Sequence, residues 1–186
     1  MIHNLAAGQQ GFTSNVFLVP GDRTALVDVG NGFDVVDALD VVVLTHTHPD
    51  HVGELDAVVS AFDVDAWGFD GNAETVDHEL ADGDTVRLGD HDYRALHTPG
   101  HKNDHLCLYS PVSERLFAGD LVFANGGFGR TDLAEGDRGL LVDSIRRVLD
   151  AADESLATLH TGHGPSVTSD PYQNIELALR TAQTRA

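Results

Sequence analysis

The sequence predicts an α/β chain folded as a four-layer αββα sandwich, two mixed sheets stacked face to face with helices outside. Three observations predict it. Short apolar runs come in clusters, segments of helical period lie between and after those clusters, and chemically active polar residues gather where apolar runs end. With 186 residues, 41% of them hydrophobic, the chain can bury one good core and is short for two. Residues 1–186 are therefore read as a single domain.

The elements follow in order. Val16 to Val19 and Ala25 to Val29 are apolar runs separated by the turn Pro20-Gly21-Asp22-Arg23, which reads as a hairpin. A short helix, roughly Phe33 to Leu39, leads into Val41-Val42-Val43-Leu44, a run without polar alternation and so a strand covered on both faces. Val52, Leu55, Val58, Val59 and Phe62 then recur at helical spacing, so a helix should start at the motif itself. Strands are expected at Val64 to Trp67, Thr85 to Leu88, Tyr93 to His97, Leu106 to Tyr109 and Leu116 to Ala118. Leu141, Ile145, Val148 and Leu149 mark a second helix, and Leu156 to Leu159 a further strand. The last helix has Asp170 as its cap, Pro171 at its first position, and Tyr172, Ile175, Leu179 and Ala182 on one face.

The chemistry concentrates in Thr45-His46-Thr47-His48-Pro49-Asp50-His51, immediately after the buried strand. Three imidazoles and a carboxylate at one strand end are a poor choice for packing, because each costs free energy if buried without a partner. A divalent cation is the partner that suits all of them. Three other polar residues close apolar runs in the same way: His101, Asp120 and His163, each preceded by glycine, which lets the backbone turn tightly and approach an ion. The alternatives are solvated loop histidines for the His46–His51 cluster, histidines of ordinary turns for His101 and His163, and a structural turn aspartate for Asp120. Asp28 reads as a turn cap, and His97, His105 and His160 as structural groups or supports for ligands. His3, His78 and His91 sit in polar surroundings and are expected on the surface. Cys107, the lone cysteine, lies in the apolar run Leu106-Cys107-Leu108-Tyr109 and reads as a small buried hydrophobe.

Taken in order, Asp28, His46-x-His48-x-Asp50-His51, His101, Asp120 and His163 resemble the motifs of the metallo-β-lactamase superfamily, from about Asn15 to Pro165. The resemblance implies a metallo-β-lactamase-like αββα fold and two divalent metal ions, zinc in the first place, with iron or manganese tolerated. It implies that His46, His48 and His101 hold one ion, that Asp50, His51 and His163 hold the other, and that Asp120 bridges them. Asp50 and Asp120 would be the catalytic carboxylates, and Asp28 would orient a ligand. Donor chemistry supports the division independently. Three neutral imidazoles leave a fourth position open for water, and one carboxylate can hold two ions about 3.5–4 Å apart.

His97-Thr98-Pro99-Gly100-His101 with His105, and Gly119-Asp120-Leu121-Val122-Phe123 followed by Gly129-Arg130-Thr131-Asp132-Leu133, are similar to glyoxalase II enzymes and their small hydroxyacylglutathione hydrolase-like relatives. That similarity implies a hydrolase of small-molecule thioesters working through a hydroxide that bridges the two metals. Persulfide dioxygenases carry a similar segment, so a mononuclear iron persulfide dioxygenase is the alternative, with lactone or ester hydrolysis and a non-enzymatic metal-binding role also open. Arg130 is a candidate partner for a substrate carboxylate, a salt bridge to Asp132 being its other use. Two departures stand out. Asp104 occupies a position where glyoxalase II usually has glycine, and only about twenty residues follow His163, where glyoxalase II continues into a helical domain that supplies much of its glutathione surface. Another low-molecular-weight thiol is therefore a candidate in place of glutathione.

No apolar run approaches the ~18 residues of a membrane span, and Met1-Ile2-His3-Asn4-Leu5 lacks a signal-peptide pattern, so the expected location is the cytoplasm, with no membrane partner. Thirty acidic residues against 11 basic ones, with Lys102 the single lysine, leave a net charge of -19. Nucleic-acid phosphates would be repelled by such a surface, so no nucleic-acid partner is expected. Self-repulsion on this scale is tolerable where concentrated salt screens it within a few ångströms, which points to a halophilic, salt-rich cytoplasm. Melting temperature should accordingly fall as salt is lowered from molar to millimolar; an unchanged melting curve would contradict the halophilic reading.

Overall fold

Three packed layers of side chains define how the chain is arranged in its computed structural model, which describes residues 1–184 apart from residues 10, 33–36 and 70–74. Along the chain run β1 (His3–Asn4), β2 (Phe17–Val19), β3 (Ala25–Val27), β4 (Val41–Val43), α1 (Leu55–Phe62), β5 (Ala66–Gly68), β6 (His78–Glu79), β7 (Thr85–Leu88), β8 (His91–His97), β9 (Leu106–Ser110), β10 (Arg115–Phe117), β11 (Val122–Phe123), β12 (Gly127–Phe128), α2 (Arg138–Ala151), β13 (Thr158–His160) and α3 (Pro171–Thr184). One sheet has the order β1-β2-β3-β4-β5-β6, the other β13-β10-β9-β8-β7, and β11 pairs with β12 in a small ribbon.

Strand pleating decides which layer each side chain joins. In β4, Val41 and Val43 face the second sheet and pack with Val86, Leu88, Leu106, Leu108 and Phe117. Val42 and Leu44 point the other way, onto Leu55 and Val58 of α1. In β9 the same alternation sends Leu106 and Leu108 between the sheets. Cys107 and Tyr109 go outward, to Leu141, Ile145 and Val148 of α2 and Ile175, Ala178 and Ala182 of α3. Helix, sheet, sheet and helices are thus held by three apolar contacts, and the αββα expectation is met. Strands covered on both faces explain why Val41–Val43 carries no polar alternation.

Both sheets are mixed. Antiparallel pairs join β1, β2 and β3, and parallel pairs join β3, β4, β5 and β6. In the second sheet β10 runs parallel to β13 and antiparallel to β9, which is antiparallel to β8. It follows that β8, β10 and β13 all point the same way. Their C-terminal ends, with those of β3 and β4, open on one edge of the sandwich, where ligands of open α/β sheets bind.

Several expectations need adjustment, among them the strands expected from Val64 and Leu156, which begin at Ala66 and Thr158. The helix expected over Phe33 to Leu39 falls mostly on residues 33–36, outside the described ones, and Asp37 to Leu39 are not helical. The helix after the histidine motif begins at Leu55, not at the motif, because His48 to Glu54 first form tight turns that aim their side chains at the sheet edge. Pro171 opens the last helix as expected. Asp170 before it has φ +51°, away from the extended geometry usual for a cap, and its carbonyl accepts the Asn174 N–H at 3.0 Å. No helix among the described residues is long and apolar enough to cross a membrane.

Candidate metal centre

Asp28 is the residue around which the edge is organised. It follows β3 with φ +60°, a left-handed conformation that a non-glycine residue adopts only when its surroundings require it. Its backbone N–H donates to Val43 O at 3.0 Å, continuing the β3–β4 pairing. Its buried carboxylate accepts from Thr45 N at 2.7 Å, from Thr45 Oγ1 at 2.8 Å and from His51 Nδ1 at 2.9 Å. The last bond fixes the tautomer of His51: with its proton on Nδ1, the Nε2 lone pair points inward.

Two other imidazoles are set in the same manner. Thr45 Oγ1 spends its proton on Asp28, so the contact of 3.1 Å to His46 Nδ1 is one in which the ring donates, leaving His46 Nε2 bare. His101 Nδ1–H donates to the carbonyl of Arg130 at 2.8 Å, which leaves His101 Nε2 bare. His46 Nε2 lies 3.0 Å from His48 Nδ1, which lies 2.9 Å from His101 Nε2. These three form one group of converging donors. His46, His51 and Asp120 form a second, and Asp50, His51 and His163 a third, with donor atoms in each group within 4.8 Å of one another.

Asp120 stands between the groups. Its Oδ1 is 3.4 Å from His51 Nε2, and its Oδ2 is 3.4 Å from His101 Nε2 and 3.5 Å from His163 Nε2. Asp50 Oδ2 faces His163 Nε2 at 3.1 Å. Glycine is required beside Asp120: a Cβ on Gly162 would collide with Asp120 Oδ1, and Gly119, at φ +46°, would place one 2.6 Å from His105 Nε2. Two buried atoms at the middle of this arrangement, His51 Nε2 and Asp120 Oδ1, have no hydrogen-bond partner. Orphaned lone pairs aimed at each other are what a cation would satisfy, and the nitrogen and carboxylate donor set fits divalent zinc, iron or manganese.

The electrostatics agree. Burial works against charge on His51, yet the carboxylates of Asp28 and Asp120 outweigh it and push the imidazole up to about 10. Burial alone would raise Asp120; the facing His51 imidazole 3.4 Å away, with His163 and His101 beside it, brings the carboxyl down to about 2. His46, buried among other imidazoles, is lowered well below the usual histidine range. The site is thus built to hold positive charge between its carboxylates.

Every residue expected at the site reaches it. Asp28, His46, His48, Asp50, His51, His101, Asp120 and His163 converge from the ends of β3, β4, β8, β10 and β13. Arg130 also reaches the cavity of about 620 Å³ beside them, but its guanidinium is bound in a fork to Asp132 at 2.8 Å and 2.7 Å. His97, His105 and His160 stay outside all three donor groups. His105 is a support: buried and pushed down to about 3 by burial, it accepts the Asp120 N–H at Nε2 (3.0 Å) and donates from Nδ1 to Thr98 Oγ1 (2.8 Å). Cys107 is fully buried and its thiol is pushed up to about 12 by burial.

Sequence reasoning missed two contributors and gave a third, Asp104, no use. Thr45 relays Asp28 to His46, the Arg130 carbonyl sets His101, and Asp104 accepts from Thr47 Oγ1 at 2.6 Å and pairs with Lys102 at 3.2 Å. Asp104 therefore straps the His46–His48 turn to the loop that carries His101, which gives the departure from glycine there a structural use. A hydroxyl at the strand end was the only signal available for Thr45. Nothing in the sequence marks a backbone carbonyl.

The model of the metallo-beta-lactamase superfamily matches residues 10–163. The chain is 31% identical to the hydroxyacylglutathione hydrolase GloC of Haemophilus influenzae, over 73% of this chain and 76% of that one. It is 33% identical to the hydroxyacylglutathione hydrolase of Aliivibrio fischeri, over 75% of this chain but 54% of the relative, so it spans about half that relative's length. Among solved structures, TTHA1623 in a di-iron-bound form superposes with a TM-score of 0.71 at 26% identity, over 97% of this chain and 98% of that one.

Two outcomes test the centre. Without a metal, the carboxylates of Asp28 and Asp120 favour a second proton on His51, at Nε2, well above the usual histidine range, and an entering ion must displace it. Apparent zinc affinity should therefore rise with pH, by up to about tenfold per unit for a single displaced proton, and calorimetry in buffers of different ionisation enthalpy should show proton release. A pH-independent affinity between 7 and 9 would contradict this. Gly162→Ala should displace Asp120 and lower metal retention at least tenfold by elemental analysis after dialysis, while leaving the circular dichroism spectrum folded.

Proposed function

We propose that this chain, which belongs to the metallo-β-lactamase superfamily, is a binuclear metal-dependent hydrolase that cleaves a small-molecule thioester. The observation that carries the reading is the division of Asp120 between two donor groups, Oδ1 toward His51 and Oδ2 toward His101 and His163. In this reading His46, His48 and His101 would hold one ion and Asp50, His51 and His163 the other, with Asp120 available to both. Two divalent cations held there would supply a water of lowered pKa and polarise an acyl carbonyl. Zinc is the first candidate, with iron and manganese compatible with the same donors.

The chain's own residues do the rest. Asp28, Thr45 and the Arg130 carbonyl fix imidazole tautomers, so no donor has to reorganise during the reaction. Asp50 and Asp120 line the cavity and are the carboxylates next to the reacting atoms. Phe123 and Phe128 flank the same cavity and give it an apolar wall. No side-chain nucleophile is required, and Cys107, sealed in β9 with a thiol pushed up to about 12, is not one.

The glyoxalase II-like relatives support the thioester, and the second donor group, Asp50, His51 and His163, favours the hydrolase over a mononuclear iron persulfide dioxygenase. Placement in a salt-rich cytoplasm, and the reading of residues 1–186 as one domain, belong to the same proposal. Metal-loaded protein should hydrolyse a generic lactoyl thioester without consuming oxygen. Asp120→Ala should cost at least about 10³-fold in kcat together with one or both ions. Oxygen uptake on a persulfide with no thioester turnover, or full turnover by the variant, would defeat the reading.

A further inference from the structure

The cavity beside the metal centre has one apolar wall, and away from the metal ligands the one arginine or lysine among its described lining residues is already paired. Phe123, Phe128, Phe12 and Leu133 line it. Phe12 is 74% exposed and Leu133 37%, so large apolar side chains are left in solvent at its mouth. A concave patch of this kind marks a place where an apolar ligand group is expected.

Among the described residues that line the cavity, Arg130 is the only arginine or lysine. Its fork is filled by Asp132, through bonds of 2.8 Å from Nε and 2.7 Å from Nη2. Two further cations lie near without lining it. Arg138 rests over the ring of Phe128, 4.3 Å from guanidinium carbon to ring centroid, with its buried Nη1 lacking a hydrogen-bond partner. Lys102 is tied to Asp104 at 3.2 Å and Glu135 at 3.3 Å. A carboxylate entering the cavity would shed water and find its one planar acceptor-binding partner already occupied. The net charge of -19 adds repulsion wherever salt does not screen it.

We propose that the substrate is the thioester of a thiol that carries no carboxylate and has an apolar tail, and that Asp132 is the residue that excludes anionic thiols by neutralising Arg130. The proposal rests on the thioesterase reading and adds the class of thiol, one that lacks the carboxylates of glutathione. Asp132 acts through Arg130 and is a positioning residue. The apolar tail lies against Phe123, Phe128 and Leu133, while the acyl carbonyl faces His48, His101 and Asp120.

Two substrates sharing a lactoyl group test this with metal-loaded full-length protein: the ester of benzyl mercaptan, which is uncharged, and S-lactoylglutathione, which carries two carboxylates. Wild type should show kcat/KM at least about tenfold higher for the benzyl ester, mainly through KM. Within a series of S-alkyl esters, kcat/KM should rise by up to roughly fourfold per methylene until the cavity is filled. Asp132→Asn should free Arg130 and narrow the benzyl-to-glutathione ratio about tenfold, by improving the glutathione ester. The ratio is read within one preparation, so partial unfolding or metal loss cancels. A wild-type preference for the glutathione ester, a ratio unmoved by Asp132→Asn, or a selective loss of glutathione-ester turnover in Arg130→Ala would overturn the proposal while leaving the thioesterase reading intact. Cleavage of neither ester would overturn both.

Discussion

A single buried carboxylate, that of Asp28, ties the fold to the chemistry. It accepts from Thr45 N, Thr45 Oγ1 and His51 Nδ1 at once, in a backbone conformation with φ +60°. Because Asp28 and Thr45 terminate adjacent parallel strands, these bonds fasten β3 to β4 where a sheet would otherwise fray. They also decide which nitrogen of His51 and His46 faces inward. Strain at one residue is tolerated because three hydrogen bonds over-determine its position. Loss of that carboxylate would leave buried donors unpaired and two imidazoles free to turn.

The polarity of the strands supplies the second constraint. In the second sheet, β8, β10 and β13 point the same way, so the residues that follow them, His101, Asp120 and His163, emerge on a common edge. The first sheet delivers His46, His48, Asp50 and His51 to the same place through the C-terminal end of β4. Seven donors are therefore brought together by backbone topology before any side-chain interaction is counted. Their lone pairs converge at the floor of the cavity, with His46, His51, His101 and Asp120 buried, an arrangement that is costly unless positive charge lies among them.

Much of this was legible in the sequence because the signals were local. Val41-Val42-Val43-Leu44 reads as a doubly covered strand from its lack of polar alternation, and its side chains do divide between α1 and the inter-sheet core. The histidine and aspartate ligand candidates were identifiable because each ends an apolar run, three of them after a glycine that must stay small. Other features depend on distant contacts and left no local mark. The two-residue strands β1, β6, β11 and β12 are too short to carry a period. The start of α1 is delayed to Leu55 by the turns that aim the motif. The occupation of Arg130 by Asp132 was one of two readings the sequence allowed, and only geometry decides between them.

Anomalous X-ray scattering from crystals of zinc-loaded protein tests the central claim most directly. The account predicts two peaks, one among His46, His48 and His101 and one among Asp50, His51 and His163, with Asp120 in contact with both. A single peak, with Asp50 and His163 turned away from it, would contradict the account.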